Sequence, residues 1–187
     1  MCGRYYVDDE EPTLQEIVEK LKENGASVKT GEVFPTDRAA VLGPQGEYAA
    51  MRWGFPRFDG KGEIINARSE TASVKGMFRP LMARGRCLVP ASWYFEWEKR
   101  GRERIKYAFT LPEEGIVWMA GLCRFDPETG ERRFVILTRP AWEGVRFIHD
   151  RMPVLLPPKL HDEWLDGRDP DKTLERAAEK VRYRIVK

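Results

Sequence analysis

The stretch Arg86-Cys87-Leu88-Val89-Pro90-Ala91-Ser92-Trp93-Tyr94-Phe95-Glu96-Trp97-Glu98 carries the reading on which the fold turns. It holds two short strand-like runs, residues 86–89 and 93–98, rich in the aliphatic and aromatic side chains that suit a pleated, half-buried surface. Strand side chains alternate, so residues 93, 95 and 97 face one way and residues 94, 96 and 98 the other. Glu96 therefore shares a face with Tyr94 and Glu98. Two environments fit it. On a partly buried face, desolvation raises its pKa and suits it to acid–base work. On a solvated polar face it lies opposite a core face of Trp93, Phe95 and Trp97.

Working outward, further strand-like runs occupy residues 39–42, 48–53, 105–111, 117–124 and 134–138. Turns such as Pro44-Gln45-Gly46 and Asp126-Pro127-Glu128-Thr129-Gly130 separate them. A helix is predicted over residues 13–24: Thr13 and Glu16 have capping-box spacing, Leu14, Ile17, Val18 and Leu21 form one stripe, and Gly25 is a natural stop. Residues 69–83 read as one or two short helices broken at Pro80, and residues 158–165 and 171–181 also read as helical. Pro170 precedes the last of these, where a missing N–H costs little. Strands at short spacing with few helices between them disfavour a parallel βαβ array. The expectation is an α+β fold, a mostly antiparallel sheet or open barrel with peripheral helices, in one domain over residues 1–187. The segment from about residue 158 is expected to pack against it.

Composition limits the function. The 187 residues are 42% hydrophobic and 33% charged, which is globular, and suffice to bury roughly 70% of the unfolded surface. Thirty-two Lys and Arg against thirty Asp and Glu leave a net charge of +2, so any contact with nucleic acid must come from local clustering of arginines. No secretory signal or membrane-length apolar run is visible. Cys2, Cys87 and Cys123 form no C-x-x-C pair, so neither a disulfide framework nor a zinc site is expected. A reduced, cytoplasmic, monomeric protein with no metal and no cofactor is the expectation.

Four places can carry chemistry. Cys2, once Met1 is removed, presents an α-amine (pKa about 7.7–8.0) and a thiol (about 8.5) on one residue. An aldehyde can form an imine with the amine, and the thiol can close on it to give a five-membered thiazolidine. Equally, Cys2 can be an ordinary residue of a poorly ordered terminus. Asn66-Ala67-Arg68-Ser69-Glu70-Thr71 offers an Asn able to fix an amine or carbonyl and an Arg suited to phosphate, or simply a helix start capped by Asn66 or Ser69. Glu96 is the third. His149, in Phe147-Ile148-His149-Asp150-Arg151-Met152-Pro153, can shuttle a proton beside a phosphate-holding Arg151, or be structural. His161 reads as part of an exposed helix turn, and Cys87 and Cys123 as core residues.

The order of these blocks adds to each of them. Met1-Cys2-Gly3-Arg4-Tyr5, Trp53-Gly54-Phe55, Asn66 through Thr71, Phe78-Arg79, Arg86 through Pro90, Tyr94-Phe95-Glu96-Trp97, Ala120-Gly121-Leu122 and Ile148 through Pro153 follow in series. In this company the chain resembles the SOS response-associated peptidase (SRAP) family of abasic-site processing proteins, from Cys2 to about Leu156. The resemblance implies an antiparallel barrel-like sheet. It also implies a part in the DNA-damage response: shielding abasic sites in single-stranded DNA, near the nucleoid, through a covalent thiazolidine at Cys2. By the same resemblance Asn66 orients the terminal cysteine, while Glu96 and His149 are an acid–base pair serving imine formation and sugar ring opening. Thr138 falls at an active-site Thr, Arg4, Arg68, Arg79 and Arg151 at phosphate contacts, and Trp53 at an aromatic on the DNA groove. The four arginines are thus expected to cluster around Cys2. Two segments depart from the family pattern: Ile105-Lys106-Tyr107 replaces a Pro-aromatic pair, and Glu32-Val33-Phe34-Pro35 replaces Asn-x-x-Pro. Two other functions compete, a thiol peptidase acting on its own Met1–Cys2 bond or on other proteins, and a non-covalent single-strand binding module.

Overall fold

The computed structural model describes residues 2–112 and 115–186. In chain order the elements are β1 (Tyr5–Val7), α1 (Pro12–Glu23), β2 (Gly31–Val33), β3 (Arg38–Leu42), β4 (Tyr48–Trp53), β5 (Phe55–Pro56), β6 (Glu63–Ile64) and β7 (Asn66–Arg68). Next come α2 (Ser69–Ala72), α3 (Arg79–Arg84), β8 (Arg86–Ala91), β9 (Trp93–Arg100), β10 (Glu103–Thr110), β11 (Val117–Asp126) and β12 (Glu131–Pro140). The chain ends with β13 (Arg151–Pro153), α4 (His161–Asp166), α5 (Pro170–Glu175) and β14 (Arg182–Val186).

The α+β expectation holds, and the expected open barrel is closed. Strands run β11-β8-β3-β4-β12, and β11 also pairs with β12, so the ring returns on itself. Most ladders are antiparallel, but β12 takes β4 and β7 as parallel neighbours. Gly121 shows how tightly the ring is drawn: a Cβ there would stand 2.8 Å from the Val135 carbonyl oxygen and 3.0 Å from Cys87 Sγ. Trp53, Leu88, Leu122, Phe134 and Ile136 are buried in the core, as are Cys87 and Cys123. A second sheet, ordered β14-β10-β9-β1-β2, places the Glu96-bearing strand at its centre.

Helix α1 buries Leu14, Ile17, Val18 and Leu21 as the stripe requires, and Gly25 ends it at φ 75°. Its cap differs from the expected Thr13–Glu16 box. Pro12 starts the helix one residue earlier, Glu11 accepts from the Leu14 N–H at 2.9 Å, and Glu16 pairs with Lys20 instead. Pro80 does not break the 69–83 segment. It lies in the first turn of α3, where proline is tolerated, and the interruption falls at residues 73–78. The helix expected over residues 171–181 stops at Glu175. Ala178 bridges to Leu155, and β14 pairs with the edge of β10. An alternating Arg182-Tyr183-Arg184-Ile185 pattern suits that edge better than a helix. His161 is not simply exposed: it packs edge-on against Trp118, with Nε2 3.0 Å from the Leu156 carbonyl. Among the described residues no helix is long and apolar enough to cross a membrane.

Arg86 fastens the C-terminal segment to the ring. Its buried guanidinium donates to carbonyls left open at the ends of α3 and α4: Met82 at 2.5 Å, Gly167 at 2.7 Å, Leu165 at 3.4 Å, and Trp164. The fully buried Trp164 returns an indole N–H to the Cys87 carbonyl at 2.9 Å. Removing the guanidinium leaves several buried acceptors without a donor. Arg86→Met is therefore expected to lower stability by on the order of 3 kcal/mol, read from the urea midpoint at unchanged slope.

Candidate active site

The start of the chain is held in place by strand pairing. β1 lies between β2 and β9, with Tyr5 opposite Tyr94, and the Phe95 N–H donates to the Arg4 carbonyl at 2.9 Å. Cys2, just ahead of β1, is fully buried, so the reading of a poorly ordered terminus does not describe it. Its thiol points at the Arg4 carbonyl, 3.9 Å away. Burial, and then the charge of Glu96, push the thiol well above its ordinary value. The hydroxyls of Tyr5 and Tyr94 are buried without a hydrogen-bond partner among the described residues. Met1, whose removal the Cys2 chemistry needs, lies outside the described residues.

Of the two environments open to Glu96, the structure selects the buried one. Glu96 is 4% exposed and Tyr94 1%, while Trp93 and Trp97 are only half-buried, so the expected Trp93/Phe95/Trp97 core face holds at Phe95 alone. Burial raises the Glu96 carboxyl to about 7, with the charge of Asp150 adding to the effect. His149 Nε2 stands 4.0 Å from Glu96 Oε2, beyond direct hydrogen-bond length. His149 Nδ1 accepts from the Arg151 N–H at 3.0 Å, which leaves the ring proton on Nε2, facing Glu96. Asp150 Oδ1 competes for Nδ1 at 3.0 Å. Burial holds the imidazole below its ordinary pKa and favours the neutral ring.

Glu96 and His149 line a depression of about 500 Å³ together with Gly3, Arg4, Trp97 and Arg104. Arg4 is ion-paired with Glu32 at 3.0 Å and lies 3.6 Å over the Phe34 ring. Asn66, Arg68 and Thr138 line a neighbouring depression with Lys75 and Phe78. The Asn66 amide donates to the Ile136 carbonyl at 3.4 Å, and its buried oxygen has no hydrogen bond among the described residues. Arg151 joins the two places. Its backbone reaches His149, while its guanidinium reaches the Thr138 carbonyl at 2.6 Å and grips Glu70 at 2.5 and 2.9 Å. That grip holds the Glu70 carboxyl down to about 2.

One expected DNA contact is corrected. Trp53 is fully buried, its indole N–H bonded to the Ile65 carbonyl at 3.0 Å and its ring packed on Tyr5 and Phe134. It fills the ring core and offers no face to a ligand. The four arginines do not form one cluster either: Arg79 lines a separate depression with Asp166 and Arg168. Trp97 and Arg104 were not singled out from sequence. Trp97 reads as core by alternation, and Arg104 is one of several charges around an ordinary hairpin turn. Among the described residues no group of three or more His, Cys, Asp or Glu side chains could hold a metal ion.

The match to known proteins is long. The model of the SOS response associated peptidase (SRAP) family fits residues 1–186, and the chain belongs to that family. Among its relatives, Abasic site processing protein YedK of Escherichia coli (strain K12) is 30% identical over 176 residues, 88% of this chain and 79% of that protein. Abasic site processing protein YoqW of Bacillus subtilis (strain 168) is 28% identical over 186 residues, 91% and 83% of the respective chains. A crystal structure from Bacteroides thetaiotaomicron shares the fold at TM-score 0.75 and 22% identity, covering 100% of this chain and 92% of that one. One from Bordetella bronchiseptica does so at TM-score 0.75 and 24% identity, over 100% of both.

The raised carboxyl has a thermodynamic signature. The Glu96 value in the fold exceeds that of an unfolded chain, about 4.3, so its stabilising contribution is full below that pH and is lost as pH rises through about 7. Glu96→Gln removes this dependence. Between pH 4 and pH 8 the stability difference is expected to move in favour of the variant by up to about 3 kcal/mol, measured by urea unfolding at both values.

Proposed function

We propose that this protein processes abasic sites in single-stranded DNA by capturing the ring-opened sugar aldehyde on Cys2 after removal of Met1. The observation that carries the reading is the buried Glu96 carboxyl, raised to about 7 and 4.0 Å from His149 Nε2, on the strand that pairs with the start of the chain. The names of the relatives in Escherichia coli and Bacillus subtilis support the same substrate.

The chemistry follows from the protonation states. His149, favoured neutral with its proton on Nε2, hydrogen-bonds the sugar ring oxygen; as the C1′–O4′ bond breaks, a solvent water relays the C1′ hydroxyl proton to that oxygen, giving the aldehyde. Burial keeps the Cys2 thiol protonated, so the α-amine attacks the aldehyde carbon first. Glu96, protonated near neutral pH, gives its proton to the departing hydroxyl, and water leaves behind an iminium ion. The Glu96 carboxylate then takes the thiol proton, and sulfur closes on the iminium carbon. A carbon–sulfur bond forms, the C=N π electrons return to nitrogen and leave it neutral in the thiazolidine, and the net change is loss of one water. The open oxygen of Asn66 is an acceptor suited to orient the amine. Arg4, Arg68, Thr138 and Arg151 hold backbone phosphates on this reading, Arg4 and Arg151 by exchanging their Glu32 and Glu70 contacts for phosphate oxygens.

Intact mass spectrometry before and after incubation with an oligonucleotide carrying one abasic site tests this. The expected result is protein lacking Met1, then a species equal to protein plus DNA minus one water, absent in Cys2→Ala. Glu96→Gln is expected to slow adduct formation by about 100-fold or more. Correctly processed protein that forms no adduct but cleaves unrelated peptides through Cys2 would establish the peptidase reading instead.

A further inference from the structure

Trp53 is buried and offers no surface beside the site. One exposed apolar patch adjoins the catalytic pair. Phe147 is 53% exposed, Tyr183 45% and Ile185 65%. The Phe147 and Tyr183 rings meet at 5.8 Å, and both rest edge-on against Tyr107, at 6.4 and 5.7 Å. Ile185 is the cross-strand partner of Tyr107 on one side, and Glu96 its partner on the other. Tyr107 is buried, and its hydroxyl is tied to Glu98 at 2.7 Å, so it forms a fixed floor. Phe147 is held outward because Val145 and Ile148 on either side of it are buried. His149 follows two residues later in the same loop, and the exposed Arg146 stands next to Phe147.

We propose that Phe147, Tyr183 and Ile185 form a shelf that stacks the nucleobase adjoining the abasic site. This rests on the reading of Glu96 and His149 as an abasic-site centre. A nucleotide without a base leaves its neighbour with one uncovered face, and an aromatic surface beside the reacting sugar covers it. Such stacking is indifferent to base identity because every base presents a π-face. Arg146 adds a cation where the adjoining phosphate passes. The occupant is a base rather than a second copy of the chain because Phe147 lies in the His149 loop, two residues from the imidazole, with the exposed Arg146 cation beside it to meet a phosphate.

The test is non-covalent affinity, by fluorescence anisotropy, for single-stranded oligonucleotides bearing an inert tetrahydrofuran abasic analogue. The 5′ or 3′ neighbour is either a normal nucleotide or a second base-less one. Removing the base on one side is expected to weaken binding by the native chain about five-fold or more. The Phe147→Ala/Tyr183→Ala double variant binds weakly throughout and loses that sensitivity, whereas Phe147→Trp keeps it. An unchanged melting temperature in the double variant assigns the loss to the surface. Equal affinity of native and double-variant chains overturns the shelf. So does a change confined to self-association in sedimentation, which would make the patch an interface between copies. Shelf-dependent affinity without any adduct on a true abasic site would remove the covalent reading and leave the shelf standing.

Discussion

Burial of the Glu96 carboxyl is the constraint around which this molecule is arranged. An ionised carboxylate in such surroundings is costly, and the fold answers by shifting it toward the protonated form. That shift needs β9 to be covered on both edges. β10 supplies one edge and β1 the other, and the pairing of β1 is what carries Cys2 into the interior beside the acid. One arrangement of strands thus encloses both the Glu96 carboxyl and the Cys2 thiol.

The closed ring supplies the other half. β12 is the organising strand: it pairs with β11, β4, β7 and β13, and so aligns Asn66, Thr138 and Arg151 along neighbouring backbone. Side chains mounted on paired strands are held more closely than those on free loops. His149 sits on a loop, but its Nδ1 is fixed by the backbone of Arg151, and Arg151 is fixed by Thr138 and Glu70. Removing Glu70 would loosen that chain of contacts without touching Cys2, Glu96 or His149.

The two segments that depart from the family pattern meet in space. Glu32 and Lys106 form an ion pair, and Glu32 also binds Arg4. The Lys106 ammonium lies 4.0 Å over the Phe95 ring, directly behind the Glu96 strand. A carboxylate placed among cations costs less than either charge alone. It also accounts for the near-neutral surface. Arginines at the site are balanced by nearby acids, so the overall charge says little about where phosphate can be held.

What the sequence by itself determined is what local periodicity can carry. The stripe of α1, the main strands of the ring and the alternation that groups Glu96 with Tyr94 were all legible, because side-chain spacing depends only on the neighbouring backbone. The family was legible as a series of short blocks. Which face of a strand is covered depends on what pairs and packs against it, and that is non-local. Only the tertiary structure could bury Glu96 rather than Trp97, enclose Trp53, separate Arg79 from Arg68, and turn the last residues into a strand against β10. The shelf of Phe147 and Tyr183 has the same origin: its residues lie far apart in the chain and meet only because β14 closes the edge of the sheet beside the His149 loop.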